Sequence, residues 1–379
     1  MIKAANRLNT VQEYYFSKKL REVRTLLTQG KPIINMGIGS PDLQPPTKVI
    51  EAIQQAVITE GAHKYQSYQG LPEFREAVAD FYKNKYTVEV SSDNEILPLM
   101  GSKEGILHIS MALKKGDKVL IPNPGYPTYT SVTNLVQASP VFYELTSENN
   151  WEPDFEQLAQ EDLTNIKIMW VNYPHMPTGA KATQKLFEKL IVFGKKHQIL
   201  IINDNPYSFI LNNNPLSILS VKGAKETALE LNSLSKSFNM AGWRVGMLLG
   251  ASSFLKEVLK VKTQMDSGMF YGIQQGAISA LKVSSSWFSE MNEVYKNRRK
   301  LVWKIADTLG CSYDKNTTGM FVWAKTPQGV KAENMVDDLL YNKDIFIAPG
   351  FIFGSSGEGY IRFSLCVSEE KIKEALERL

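Results

Sequence analysis

Cysteine is scarce in this chain: Cys311 and Cys366 are its two thiols among 379 residues. Two thiols make no disulfide framework, and such sparing use suits a reducing compartment. A chain of this length needs no staple, because it buries about three-quarters of the surface its unfolded form exposes. A dominant charge is lacking too. Lysine and arginine total 43 against 39 acidic residues, a net +4, and the basic residues form no tract. That leaves no electrostatic case for nucleic acid or a membrane surface as partner. No apolar run approaches the roughly 18 residues of a membrane span. The opening residues, from Met1 to Phe16, have no apolar signal-peptide core. Repeats and low-complexity stretches are missing as well. These absences point to a soluble, cytoplasmic α/β enzyme of two to three structural units at roughly 150 residues each.

From about residue 90 to 250, short apolar runs alternate with amphipathic stretches. Strands are expected at 95–100, 118–121, 141–144, 166–171, 199–203, 228–232 and 245–250, with helices at 103–113, 126–136 and 185–197 between them. That alternation predicts a mostly parallel sheet sandwiched by helices. After about residue 280 the pattern changes. A long helix is expected over 285–309, with Trp287, Met291, Val294 and Leu301 as its apolar stripe. Short strands near 319–324 and 360–364 follow, with helices near 332–341 and 368–379. The large unit is therefore placed at 46–284. A smaller α+β unit is built from both chain ends, 1–45 and 285–379, with helix expected across the first 30 residues.

In open α/β sheets, ligands sit outside the carboxyl ends of the strands, and the notable residue clusters fall there. Gly101-Ser102-Lys103-Glu104-Gly105 follows a strand and opens a helix. Free backbone N–H groups and the positive helix end suit a phosphate, although a plain capping serine reads the same way. A Walker A loop is ruled out because its Gly-Lys-Ser/Thr ending is missing, and Asp42 breaks any GxGxxG match at Gly37-Ile38-Gly39. Asp204 ends an apolar strand, where a carboxylate can hold a cation, and Tyr207 lies three residues on. The segment 233–246 says most. Lys236 sits among small hydroxyl residues directly after a strand, poorly placed for solvation. In a pocket beside a cation such an amine loses its proton and attacks a carbonyl. Ser233 and Arg244 would add a hydroxyl and a guanidinium for an anion.

Together these segments resemble the class I/II aminotransferases, the pyridoxal-phosphate enzymes of aspartate aminotransferase fold. The resemblance spans the whole chain. It rests on Gly37–Asp42, Tyr65-(x4)-Gly70, Gly101–Gly105, Pro124-Gly125-Tyr126-Pro127, Asn172–Gly179, Asp204-x-x-Tyr207, Ser233-x-x-Lys236-(x7)-Arg244 and Arg362, in the family's order. It implies transamination between an amino acid and a 2-oxo acid through a Lys236 aldimine. Asp204 would pair with the pyridine nitrogen, Tyr126 would stack on the ring, and Tyr207 would hydrogen-bond its 3-hydroxyl. Ser102, Lys103, Ser233 and Arg244 would hold the phosphate. Arg362 and the Gly39 backbone would take the substrate α-carboxylate. Tyr65 would reach the partner subunit's phosphate, which implies a homodimer with shared active sites. No metal is implied.

One departure stands out. In Asn172-Tyr173-Pro174-His175-Met176-Pro177-Thr178-Gly179, Met176 occupies the place of the family asparagine that donates to the cofactor's 3-hydroxyl. A thioether cannot donate, so Asn172, His175 or Tyr207 alone must serve. The strings 101–105 and 266–270 are similar to the LL-diaminopimelate aminotransferase branch. Tyr14, Tyr15 and Phe16 would line a side-chain pocket or simply pack against the small unit. Because one scaffold hosts several reactions, a C–S β-lyase and a non-catalytic cofactor-binding protein stay open as alternatives.

Overall fold

The fold is described from a computed structural model of the chain, over residues 3–10 and 14–379. All seven strands expected between residues 90 and 250 form. They are β2 (Ile96–Leu99), β3 (Lys118–Asn123), β4 (Ser139–Glu144), β5 (Ile166–Val171), β6 (Leu200–Asp204), β7 (Ala228–Ser233) and β8 (Gly246–Gly250), preceded by a short β1 (Ile34–Asn35). The seven make one sheet in the order β2-β8-β7-β6-β5-β3-β4. The pairs β3–β4, β3–β5, β5–β6 and β6–β7 are parallel, while β8 runs antiparallel to both β2 and β7. The reversal goes with how the connection is folded. Between β7 and β8 the helical segments are only a four-residue helix, Leu234–Ser237, and a three-residue turn, Ala241–Trp243. A parallel return is usually made by a longer α-helix packed across the sheet, and none forms here.

Both faces of this sheet are covered, as its strands require. β7 is buried at every position, the signature of a strand packed on two sides. The helices expected between strands form at Ser102–Ser110, Pro127–Leu135 and Gln184–His197. Thr183 caps the last of these, its hydroxyl accepting from the Leu186 N–H, which satisfies one otherwise orphaned donor.

The C-terminal region carries β9 (Ser312–Tyr313), β10 (Phe321–Lys325), β11 (Ile345–Phe346), β12 (Ala348–Pro349) and β13 (Tyr360–Ser364). Four of them form an antiparallel sheet, β12-β13-β10-β9. The fifth, β11, pairs in parallel with β1, Ile34 opposite Ile345, and so stitches the early chain onto the late one. Helix at the start of the chain runs over Tyr15–Thr28, with a 3-10 turn at Asn6–Thr10. Residues 3–5, 14, 29 and 30 are not helical, so the expected 1–30 helix is shorter and broken, and its residues 1, 2 and 11–13 lie outside the described residues. Among the described residues no helix is long and apolar enough to cross a membrane.

The long helix forms at Ser285–Thr308, but its buried stripe is not the expected one. Phe288, Met291, Tyr295, Arg298, Val302 and Ile305 are buried, a three-four alternation in which only Met291 matches the sequence reading. Arg298 concealed the stripe, since a charged residue at its centre breaks an apolar pattern.

Candidate active site

The strands β2, β3, β5, β6 and β7 share one direction, so their carboxyl ends open on one edge of the sheet, where a cleft of about 610 Å³ lies. Gly39, Ser102, Lys103, Tyr126, Asn172, Asp204, Tyr207, Ser233, Lys236, Arg244 and Arg362 all line it. Tyr65 does not. It is 90% exposed on the outside of the chain.

Asp204 ends β6 and is buried, with Oδ2 accepting from the Tyr129 hydroxyl at 3.0 Å. Its Oδ1 is buried without a partner. Burial raises its carboxyl to about 7, against the opposing pull of the Tyr129 hydrogen bond and the Lys236 charge. A carboxylate so poorly solvated gains from a cation brought to the open oxygen. Lys236 rides on the four-residue helix after β7 and donates from Nζ to the Gly39 carbonyl at 2.5 Å. Burial depresses the pKa of its amine, and the positive charges of Arg362 and Arg244 add to the fall against the opposing influence of Cys366 and Asp204.

One end of the cleft is built for an anion. The helix Ser102–Ser110 begins there, its N-terminal backbone N–H groups unpaired by helix geometry. Gly101 precedes it at φ +88°, and an added Cβ would stand 2.1 Å from Arg244 Nη2. Glycine is therefore what lets the guanidinium lie over the helix start. Arg244 Nη1 donates to the Ala241 carbonyl at 2.8 Å and contacts Ser235 Oγ at 3.5 Å. The Ser233 and Ser235 hydroxyls pair at 2.7 Å.

The other end holds Arg362, buried on β13 between two rings, 4.0 Å from the Phe321 centroid and 4.6 Å from that of Phe353. Nη2 donates to the Gly37 carbonyl at 2.7 Å, and Nη1 lies 3.5 Å from Met176 Sδ. Burial lowers this guanidinium to about 10. Among the described residues no carboxylate pairs with it, so a buried cation waits for an anion. Gly39 presses on the same ring: a Cβ there would fall 2.5 Å from Phe321 Cζ.

The 172–179 turn decides which groups can replace the missing amide at Met176. Asn172 donates one amide hydrogen to the Asp204 carbonyl and accepts from the Met176 N–H at 2.8 Å, which leaves its second amide hydrogen free to donate. His175 Nδ1 meets Thr178 Oγ1 at 2.8 Å, and the ring does not line the cleft. Burial depresses it to about 3. Tyr207 and Asn172 both line the cleft, so either can supply the donor that Met176 lacks.

The sequence reading missed Tyr129, Ser235, Phe321 and Phe353. Tyr129 was findable: it follows Tyr126 by three positions on a helix opened by Pro127, hence on the same face. It stacks on Trp170 at 4.9 Å and 6°, which holds its hydroxyl against Asp204. The two phenylalanines carried no local signal, because they reach the cleft from β10 and from the 3-10 turn Gly350–Phe353, away from the strand ends that mark most other site residues.

Known proteins align over the full chain. The family described as aminotransferase class I and II matches residues 31–379. The LL-diaminopimelate aminotransferase of Maridesulfovibrio salexigens is 39% identical, with 100% of this chain and 98% of that protein covered. That of Aquifex aeolicus is 37% identical, covering 100% and 99%. Among solved structures, substrate-bound BacF from Bacillus subtilis superposes with a TM-score of 0.95 at 32% identity, covering 100% and 97%. The Thermus thermophilus aspartate aminotransferase with maleate gives 0.92 at 26% identity, covering 100% and 99%.

Proposed function

The chain belongs to the class I and II aminotransferases, and on that footing we propose how its own residues carry out the transfer. It is a pyridoxal-phosphate-dependent enzyme that moves an amino group between an amino acid and a 2-oxo acid. The curated relatives compared above are aminotransferases by name, and nothing among them supports the lyase or the non-catalytic alternative.

One observation carries the assignment of residues. A half-buried amine, a buried half-partnered carboxylate and a buried guanidinium with no carboxylate partner line one cleft: Lys236, Asp204 and Arg362. The cleft fits the cofactor on its own chemistry. Asp204 Oδ1 is an orphaned acceptor for a protonated ring nitrogen. The Ser102 helix start with Lys103, Ser233, Ser235 and Arg244 makes a cradle for a phosphate. Tyr126 and Tyr207 flank the space between them. When bound, the cofactor supplies an electron sink for the pair released at the amino acid's α-carbon.

Lys236 is assigned the bond to the cofactor aldehyde and, once freed, the α-proton, a general-base role that its depressed pKa favours. Arg362 and the Gly39 backbone orient the α-carboxylate and thereby the α-hydrogen toward Lys236. Phe321 and Phe353 keep water from the guanidinium. Tyr207 would donate to the cofactor's 3-hydroxyl, with the second Asn172 N–H as another donor lining the cleft. Met176→Asn should therefore add a donor and shift the visible-absorbance titration of the bound cofactor to lower pH. An unchanged titration would remove Met176 from that position.

The substrate of first choice is LL-diaminopimelate, because full-length relatives at 36–39% identity carry that name. A panel of amino acids, each mixed with purified holoenzyme and read as loss of the cofactor's visible band, tests the reaction and the side-chain preference together. LL-diaminopimelate should give the fastest loss. No response to any amino acid would refute the reading.

The division into a unit at 46–284 and a unit from 1–45 with 285–379 is part of this proposal. The seven-stranded sheet lies within 96–250 and the four-stranded one within 312–364. A cytoplasmic homodimer with shared active sites completes it. Its support is a set of exposed apolar side chains, Ile58, Tyr65, Met265 and Phe270, on two segments that meet where the 268 backbone packs on residues 66 and 67. Light scattering should return about twice the 42.7 kDa chain mass; a monomer would refute the shared site.

A further inference from the structure

Arg298 is the one charged residue in the buried stripe of the long helix Ser285–Thr308. Its side chain is 4% exposed, and it grips Asp42 with both arms, Nη1 to Oδ1 at 2.7 Å and Nη2 to Oδ2 at 2.8 Å. Nη1 also donates to the Leu365 carbonyl at 2.9 Å. Asp42 stands at the rim, 32% exposed, so the burial cost falls mainly on the arginine. Removing its acceptor would leave a buried cation uncompensated.

The two acceptors sit at telling places. Asp42 lies three residues beyond Gly39, and Leu365 three beyond Arg362. Between them runs the wall of the cleft that faces the carboxylate site. Residues 36–42 are pinned along their length by main-chain carbonyls. Met36 accepts from the Ser364 N–H at 2.7 Å, Gly37 from Arg362 at 2.7 Å and Gly39 from Lys236 at 2.5 Å. Beyond Gly39 the segment has no strand partner up to the helix Thr47–Val57. The Arg298–Asp42 pair is the first anchor after the glycine. A guanidinium fork on a carboxylate fixes direction as well as distance, which a lysine at that place could not do.

We propose that Arg298 and Asp42 are positioning residues, a latch that sets the distance between the Gly39 backbone and Arg362 and so the fit of the substrate α-carboxylate. This rests on the assignment of Arg362 and Gly39 to that carboxylate. Neither latch residue lines the cleft; both act through the chain they hold. With the latch loosened, carboxylate binding must first order the 36–42 segment. The loss then falls on affinity, while a substrate that saturates the enzyme still meets an intact Lys236.

The test uses holoenzyme bearing Arg298→Lys, which keeps the charge but loses the fork, and separately Asp42→Asn, which keeps the shape but loses the charge. Three quantities are read: KM against kcat for the amino donor, the dissociation constant of its α-methyl analogue, which has no α-hydrogen to lose, and amide exchange over residues 36–42. Both variants should raise KM and the analogue's dissociation constant about tenfold and keep kcat within about threefold. Exchange in 36–42 should quicken while cofactor content stays at the parent level. Unaltered KM and analogue binding in a responsive enzyme would overturn the latch alone. So would a joint fall of kcat and cofactor content, which marks a general packing role. A parent holoenzyme that responds to no amino acid would overturn the functional reading and the latch with it.

Discussion

Lys236→Ala is expected to abolish the borohydride-reducible bond between protein and cofactor and to cut transamination by at least about 10⁴-fold, or 5 to 6 kcal/mol of barrier. The size of the effect follows from how many tasks fall on one nitrogen. Lys236 Nζ is the amine placed on the Gly39 carbonyl, deep enough that burial and two neighbouring guanidinium groups depress its pKa. A neutral amine is what can attack a carbonyl or accept an α-proton. Lys103 also lines the cleft, but it belongs to the first turn of the Ser102–Ser110 helix, at the anion end. It is not expected to substitute. The alanine variant keeps Asp204, Arg244 and the helix start, so it should still bind the cofactor non-covalently. Borohydride reduction followed by peptide mass analysis checks this directly. A reducible adduct that persists in Lys236→Ala would move the covalent role to another residue.

The sheet was legible because its strands are short apolar runs separated by helix-length spacers, a pattern that local periodicity carries. All seven appear, and 166–171 matches to the residue. The direction of β8 was not legible in periodicity. It goes with a 234–245 connection that folds into two short helical turns rather than one longer crossover helix. Most of the polar site residues were legible for a related reason: they lie at or just after a strand end, where the chain leaves the sheet and sequence becomes irregular, whereas Arg362 lies within β13 and was found through the family resemblance. What stayed hidden were contacts made across the fold. Phe321 flanks Arg362 from the neighbouring strand β10 and Phe353 from the 3-10 turn after β12, about 40 and nine residues away in sequence, and no spacing announces them. Arg298 was hidden differently. Its charge masked a buried stripe, and its partner lies 256 residues away.

Asp204→Ala should leave some cofactor binding but slow transamination about 10³-fold or more, roughly 4 kcal/mol. The argument is one of charge in a dry place. Tyr129 holds Oδ2, stacked in turn on Trp170, and leaves Oδ1 as the oxygen without a protein partner. A protonated ring nitrogen there meets a carboxylate with little competing water, where attraction is strongest. Without the carboxylate, the nitrogen loses the charge that keeps it protonated. The same burial carries a cost that the cofactor-free protein reveals. The folded carboxyl is raised to about 7, above the roughly 3.9 of an unfolded aspartate. Its contribution to stability is therefore complete below the unfolded value and is lost as pH climbs through about 7. Asp204→Asn removes that charge while its amide oxygen can still accept from Tyr129. The cofactor-free asparagine variant should melt higher than the cofactor-free parent above neutral pH, and the gap should close in acid. Activity and stability should thus move in opposite directions at this one position. A variant that melts no higher at alkaline pH would mean that the Asp204 carboxylate is not held at a cost, and that it lacks the poise assigned to it here.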